Sequence, residues 1–260
     1  MTQSRTLSQS LTLWTGILLF VLFAASPFLC MIITTFQESA DLYRRTANPF
    51  AYNMPPTLEH LDLLINDTPY LGYVRNSMIV GVAVVLITLV LSLPAAYALA
   101  RLTGRWGERA GILMFLVYLI PPTLLFIPMF RIVVTLGLRD SLWSLILTYP
   151  TLTVPFATWL LSGFFKSIPR ELEEAALVDG YNRMSAFFRV ILPLSTSGVI
   201  AIVVFTFTLT LHEFIYALAF ISSSDQRTLS VGVPTELIRG DVFFWQSLLA
   251  SAVIVAIPVG

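Results

Sequence analysis

Glu174–Pro193 reads EAALVDGYNRMSAFFRVILP, a polar, helix-like insert between long apolar runs. Its spacing is Glu-Ala-Ala, three residues, Gly180, nine residues, Val190, one residue, Leu192-Pro193. Just upstream, Ser167-Ile-Pro-Arg-Glu reads as a helix start, with Ser167 as the cap and Pro169 in the first turn. Glu171, Glu173 and Glu174 then fall near the positive end of the helix dipole. Leu172, Ala175 and Ala176 share one face at i, i+3, i+4 spacing, and the alanines keep that face thin enough for another backbone to approach. Gly180 permits a left-handed turn that ends the helix. Asn182 can cap a second segment, Arg183–Val190, bearing Phe187 and Phe188, and Pro193 stops it. Helices of about two turns are marginal alone in water, so they need the ends of other helices, a membrane surface or a partner protein to dock against.

The rest of the chain says what surrounds this insert. Of 260 residues, 57% are hydrophobic and 12% charged, with mean hydropathy +0.82. Soluble domains carry about 25% charged residues, so the solvent here is largely lipid. The formal net charge of zero leaves no basic footprint for nucleic acid. One cysteine, Cys30, excludes an internal disulfide or a cysteine metal site.

A span needs about 20 apolar residues. Six runs are candidates: Leu11–Phe36, Asn76–Ala100, Gly111–Leu136, Leu142–Phe165, Leu194–Phe220 and Phe243–Gly260. The first is long for a signal-peptide core and lacks a small-residue cleavage site, so it reads as a retained span. The last ends in mid-run, so either it is short or the polypeptide continues past Gly260. Together these runs predict an all-α polytopic membrane protein: one domain over residues 1–260, six spans, and a polar loop 166–193 between spans four and five. Gln37–Arg75 and Ser222–Asp241 are the longer connectors of the opposite side, the first with one short helix.

Lys and Arg divide eight to seven between the two sides. The short loop holding Arg101, Arg105 and Arg109 decides the orientation, because short loops obey the positive-inside bias. The N-terminus and loop 166–193 are then cytoplasmic. Pro27, Pro94, Pro121, Pro122, Pro128, Pro150 and Pro155 interrupt the spans. Each frees a carbonyl that lipid cannot satisfy, which fits a bundle enclosing a pathway, though static bending fits too.

The spaced motif resembles the EAA loop of binding-protein-dependent ABC importer permeases, departing from it where Val190 replaces the usual Ile. Ile127-Pro128, Leu136-Gly-Leu-Arg-Asp-Ser141, Pro155-Phe156, Trp159 and Phe164-Phe165-Lys-Ser-Ile-Pro169 are similar to the carbohydrate branch, the group of the maltose permease. The likeness runs from about Asn76 to Gly260. It implies a bacterial inner-membrane permease subunit importing a sugar, oligosaccharide or polyol. The same machine with a polyamine or phosphate cargo is the alternative. The resemblance makes the loop a coupling helix that enters a groove on an ATPase subunit. Glu171, Glu174, Ala175, Ala176, Asp179, Gly180, Leu192 and Pro193 are then the coupling residues. It also implies a second permease subunit, two ATPase subunits and an extracytoplasmic solute-binding protein. No cofactor sits on this chain; ATP and Mg belong to the partners.

The sequence contains no G-x-x-x-x-G-K-[ST], H-E-x-x-H or G-x-S-x-G, so ATP binding by a P-loop and familiar hydrolase chemistry are not expected. His60 and His212 lie in different segments, so no metal site is expected. The family's Trp-Asn-Glu-Phe in span five appears here as Leu211-His-Glu-Phe214. A carboxylate in an apolar span is a functional candidate; a structural pairing of Glu213 competes with that reading. The candidate pathway residues are Tyr118, Tyr149, Trp159, His212 and Glu213. A secondary transporter would show internal repeats and more intramembrane carboxylates than Glu213 alone.

Overall fold

The computed structural model describes residues 7–42 and 52–256. Arg5, Arg44, Arg45 and the last four residues of the expected sixth span lie outside them. The described helices are α1 (Leu7–Thr35), α2 (Ser39–Leu42), α3 (Glu59–Asn66), α4 (Tyr70–Tyr97), α5 (Gly104–Tyr118), α6 (Pro122–Thr135), α7 (Leu142–Thr148), α8 (Pro150–Ser167), α9 (Arg170–Val178), α10 (Arg183–Ala186), α11 (Leu192–Leu194), α12 (Thr196–His212), α13 (Ile215–Phe220), α14 (Leu229–Leu237) and α15 (Trp245–Ala256). Two π-helical turns, Ala98–Leu102 and Phe187–Ile191, extend α4 and join α10 to α11. A two-residue hairpin pairs β1 (Ile238–Arg239) with β2 (Val242–Phe243) around Gly240.

The chain forms two compact units, one of Tyr70–Gly232 and one of Met1–Pro69 with Val233–Gly260. In the second unit α1 packs on α15, and α15 on α3. His60 is buried there as a structural residue, its ring meeting the Gln37 carbonyl at 3.0 Å and its carbonyl accepting Ser247 Oγ at 3.1 Å.

In the 70–232 unit, α4 packs most extensively against α8 and then α12. The interface is apolar but threaded with hydroxyls: Thr88 and Thr153 hydrogen-bond at 2.6 Å, both fully buried. Close approach depends on small residues. A Cβ on Gly198 of α12 would stand 2.6 Å from the Phe164 ring, so only glycine fits.

The helical character is as expected, but the spans are not six uniform rods. Three described helices are long and apolar enough to cross a membrane: Ser10–Thr35, Tyr70–Leu102 and Leu142–Ser167. The expected span 111–136 is instead α5 and α6, bent by 87° at Leu119–Pro121, where Pro121 and Pro122 cannot donate backbone hydrogen bonds. The chain Arg183–Leu194 meets α12 at 76°, and α12 stops at His212, with α13 beginning after Glu213 and Phe214. Counting each bent pair as one span gives up to five. Trp245–Ala256 has 12 residues, about 18 Å of helix, shorter than the ~30 Å hydrocarbon layer. Helix α4 starts at Tyr70, six residues before the apolar run, because Tyr70 and Tyr73 are buried by tertiary contacts that hydropathy does not see.

At the end of α4 away from the EAA segment, an aspartate holds two loops. Asp140 sits at φ 60°, a strained region for a residue with a side chain. Its carboxylate accepts the Ser223 amide at 2.8 Å, the Ser222 amide at 2.9 Å and Ser223 Oγ at 2.9 Å. Those backbone donors hold its pKa below the ordinary 3.8.

Two outcomes follow. Gly198→Val overpacks the α8–α12 contact, an effect of about 1–3 kcal/mol, and should lower the melting temperature of the detergent-solubilised protein. Because the Asp140 pKa is depressed on folding, its contribution is complete above pH 3.8 and lost as pH falls below that value. Hydrogen exchange at Ser222 and Ser223 should accelerate on acidification through that range, and Asp140→Asn should remove most of the pH dependence.

Candidate functional site

The EAA segment folds as two short helical limbs about Gly180. Helix α9 begins after Pro169, whose side chain offers no cap. Ser167 does not cap it, as the sequence suggested. It closes α8 instead, donating to the Phe164 carbonyl at 2.7 Å, because α8 runs two residues into the expected loop. Gly180 adopts φ 89°, the left-handed turn that only glycine takes without strain. Asn182 caps the second limb, its Oδ1 accepting the Ser185 amide at 2.8 Å. That limb runs through α10, the π turn and α11 as far as Leu194, so Pro193 lies within it and the break falls at Ser195.

The residues of α9 part into two faces. Glu171, Leu172, Glu174, Ala175, Asp179 and Gly180 are exposed, as is Pro193, while Leu192 is half-buried. Ala176 is buried and turns inward with Glu173, so Leu172, Ala175 and Ala176 do not form one free face. Val178 is 87% exposed and Met184 64%, which leaves an apolar patch beside the acidic residues.

The residue that fixes the loop is Glu173. Its side chain is 7% exposed and that of Arg101 4%. The Arg101 Nε lies 3.3 Å from Glu173 Oε2, and Tyr97 OH donates to Glu173 Oε1. Arg101 also donates from Nη2 to the Ile168 carbonyl at 2.7 Å, tying down the turn that precedes α9. Phe187 of the second limb packs on the Tyr97 ring at 4.9 Å and edge-on to Phe165 at 5.9 Å. Sequence spacing favoured Glu174 and treated Arg101 as a topology signal. The position of Glu173, one turn before Ala176 on the buried face, was the available clue.

A cavity of about 580 Å³ opens where the broken helices meet, lined among others by Tyr118, Pro121, Thr151, His212, Glu213 and Phe214. Glu213 is extended and caps α13: its carboxylate accepts the Tyr216 amide at 3.0 Å and the Ala217 amide at 3.2 Å. Tyr149 OH donates to the same carboxylate at 2.8 Å. Tyr216 OH donates to the Pro122 carbonyl at 3.1 Å, so one residue serves both helix breaks. His212 meets the Thr208 carbonyl at 3.0 Å through Nδ1 and stays exposed.

The structure therefore brings Tyr118, His212 and Glu213 to one cavity and places Tyr149 behind Glu213. Trp159 lies apart, against Phe115 at 4.5 Å, on a smaller cavity of about 200 Å³ with Glu108 and Lys166.

Comparisons extend this picture. The family described as "Binding-protein-dependent transport system inner membrane component" matches residues 89–260. The chain is 33% identical over 260 residues to the inner membrane ABC transporter permease protein YcjP of Escherichia coli, covering 99% of this chain and 91% of that protein. It is 35% identical over 234 residues to the sulfoquinovosyl glycerol transport system permease protein SmoH of Agrobacterium fabrum, covering 90% and 81%. Among solved structures, a chain of a bacterial ABC transporter involved in import of the acidic polysaccharide alginate superposes with TM-score 0.79 at 19% identity, covering 99% of this chain and 96% of that one. That likeness establishes the fold.

Glu213 should matter first as a cap. A hydrogen bond to a charged group contributes about 1.5–3 kcal/mol, so Tyr149→Phe should lower the melting temperature by several degrees. Glu213→Ala should lower it further, since it also strips the N-terminus of α13. Thermal unfolding in detergent followed by intrinsic fluorescence measures both.

Proposed function

The chain belongs to the family of binding-protein-dependent transport system inner membrane components, and from that premise we propose that it forms half of the translocation pathway of an ATP-driven sugar importer, worked through the loop 166–193. The observation that carries this reading is the elbow about Gly180. Its inner side is anchored by Glu173, Ala176 and Phe187, and its outer side presents Glu174, Ala175, Val178 and Met184. A protein that keeps apolar and acidic side chains exposed on two short helices, each too short to be stable alone, supports a partner surface there.

The partner supplies ATP and Mg, since the chain has no P-loop of its own. The full transporter then comprises this permease, a second permease chain, two ATPase subunits and a solute-binding protein. The N-terminus and the loop face the cytoplasm, and Phe243–Gly260 completes a sixth span. The residues of this chain do three things. Glu171, Glu174, Ala175, Asp179 and Gly180 meet the ATPase, while Ala176, Leu192 and Pro193 set the elbow's shape. Tyr118, His212 and Phe214 face the cargo across the cavity. Glu213 and Tyr149 hold that cavity's wall.

The cargo is read as a sugar or oligosaccharide. The relative named for sulfoquinovosyl glycerol transport is 35% identical to this chain over 81% of its own length, which supports that reading. The cavity offers apolar ring faces with few polar groups, which suits the apolar faces of sugar rings.

Gly180→Asp forces a side chain into the left-handed turn, and Glu174→Lys reverses a charge on the outer face. Either should abolish uptake across a panel of labelled oligosaccharides and glycosides, leave the protein in the membrane, and weaken co-purification of the ATPase subunit. Uptake at the unaltered level in both variants would falsify the coupling assignment.

A further inference from the structure

We infer that Tyr97, Arg101 and Glu173 form a clasp that makes α4 move with the coupling loop, so that the ATPase stroke is delivered to a helix the loop is not covalently joined to. This rests on the proposed role of the loop and adds a route to it. The loop is continuous in sequence with α8 and α12 alone. Its attachment to α4 is made by side chains.

The clasp grips α4 from both limbs of the elbow. From the first limb, Glu173 takes the Tyr97 hydroxyl and the Arg101 guanidinium. From the second, Phe187 lies on the Tyr97 ring at 4.9 Å. Around them Ala96, Ala100, Leu161, Phe165 and Ile191 close a buried apolar shell. Two of the three sequence segments that meet at the clasp do so at π-helical turns, Ala98–Leu102 with Arg101 and Phe187–Ile191 with Phe187. Such turns are rare and concentrate at functional positions.

Stability alone is a poor reason for this arrangement. A buried ion pair is on balance often no better than apolar residues of the same volume, because desolvation offsets the attraction. What it supplies is one fixed geometry, since losing either partner strands a buried charge. That is the property a mechanical joint requires.

The far end of α4 has a matching set of ties. Asn76 Nδ2 donates to the carbonyls of Asp225 at 2.7 Å and Arg227 at 3.0 Å. Tyr73 OH meets Ser224 Oγ at 2.9 Å, and Ser77 Oγ accepts the Leu229 amide at 2.8 Å. With 28 residues, α4 spans about 42 Å at 1.5 Å per residue. A displacement at Tyr97 therefore reaches segment 224–229 at the other end.

The test uses the complete transporter purified with its ATPase subunits, in a Cys30→Ser background. Nitroxide labels at Leu71→Cys on α4 and Leu147→Cys on α7 report the separation of the two helices by pulsed electron resonance, with and without ATP plus vanadate. The expected result is an ATP-driven shift in the otherwise unaltered chain. Tyr97→Phe, which keeps the ring and removes the hydroxyl, should halve that shift. Arg101→Met should erase it, while the ATPase subunits still co-purify and still hydrolyse ATP. No shift in the unaltered chain, or a full shift in both variants, overturns the clasp. Loss of co-purification in Tyr97→Phe also overturns it, by making these residues part of the docking surface. Gly180→Asp separates this inference from the function it rests on. If that variant keeps the shift, the coupling assignment fails. If it loses the shift while Tyr97→Phe and Arg101→Met keep it, the clasp alone fails.

Discussion

Lipid offers no hydrogen bonds, yet this chain breaks its helices inside its most apolar runs. Every group freed at Leu119–Pro122 and at Glu213–Ala217 has to be satisfied from within the bundle. Three side chains do this: Glu213 takes the Tyr216 and Ala217 amides, Tyr149 meets Glu213, and Tyr216 reaches the Pro122 carbonyl. Leaving a single buried group of this kind unpaired costs about 1–3 kcal/mol. Several together would approach the whole stability of a domain, about 5–15 kcal/mol. That comparison decides what Glu213 is for. Its carboxylate is committed to the start of α13 and to Tyr149, at the wall of the cavity.

The same constraint explains the loop. Two short helical limbs have no intrinsic stability, so whatever fixes their direction must come from the bundle. Glu173 and Phe187 provide it, one through charge and hydroxyl, the other through ring contact. Once the inner face is anchored, the outer face is free to stay apolar and acidic without collapsing onto the protein. An elbow that was merely amphipathic would have no fixed direction; this one is tied to the bundle at Arg101 and Tyr97.

Much of this was legible in the sequence, and the boundary of legibility is physical. The left-handed Gly180, the Asn182 cap and the polar loop between apolar runs follow from local chemistry, which sequence encodes within a few residues. The apolar runs also marked the chain as a helical membrane protein. Hydropathy could not show that Gly111–Leu136 and Leu194–Phe220 are each two helices, because it averages over the residues that break them. Pro121-Pro122 was a warning; Glu213-Phe214 gave none, since the setting of the Glu213 carboxylate depends on Tyr149, which lies 64 residues away in sequence. Glu173 was passed over for its neighbour Glu174 for the same reason. Which of three clustered glutamates turns inward is set by Arg101, some seventy residues away, and spacing on α9 cannot contain that information. Trp159 was grouped with the cavity by residue type, but α8 points it toward Phe115 instead.

The broken and unbroken helices suit different tasks. A helix interrupted at its middle can change the angle between its halves at little cost, because the ladder is already open there; α5–α6 and α12–α13 have that form and border the cavity. A continuous helix transmits displacement along its axis, since bending it would break hydrogen bonds that lipid cannot replace. Tyr70–Leu102 is such a helix, continuous over 33 residues despite Pro94. It carries polar attachments at both ends, Tyr73, Asn76 and Ser77 at one and Tyr97 and Arg101 at the other, and a hydroxyl pair with α8 between them. Those attachments lie near the two ends of the helix, which is where a rod that transmits displacement has to be held.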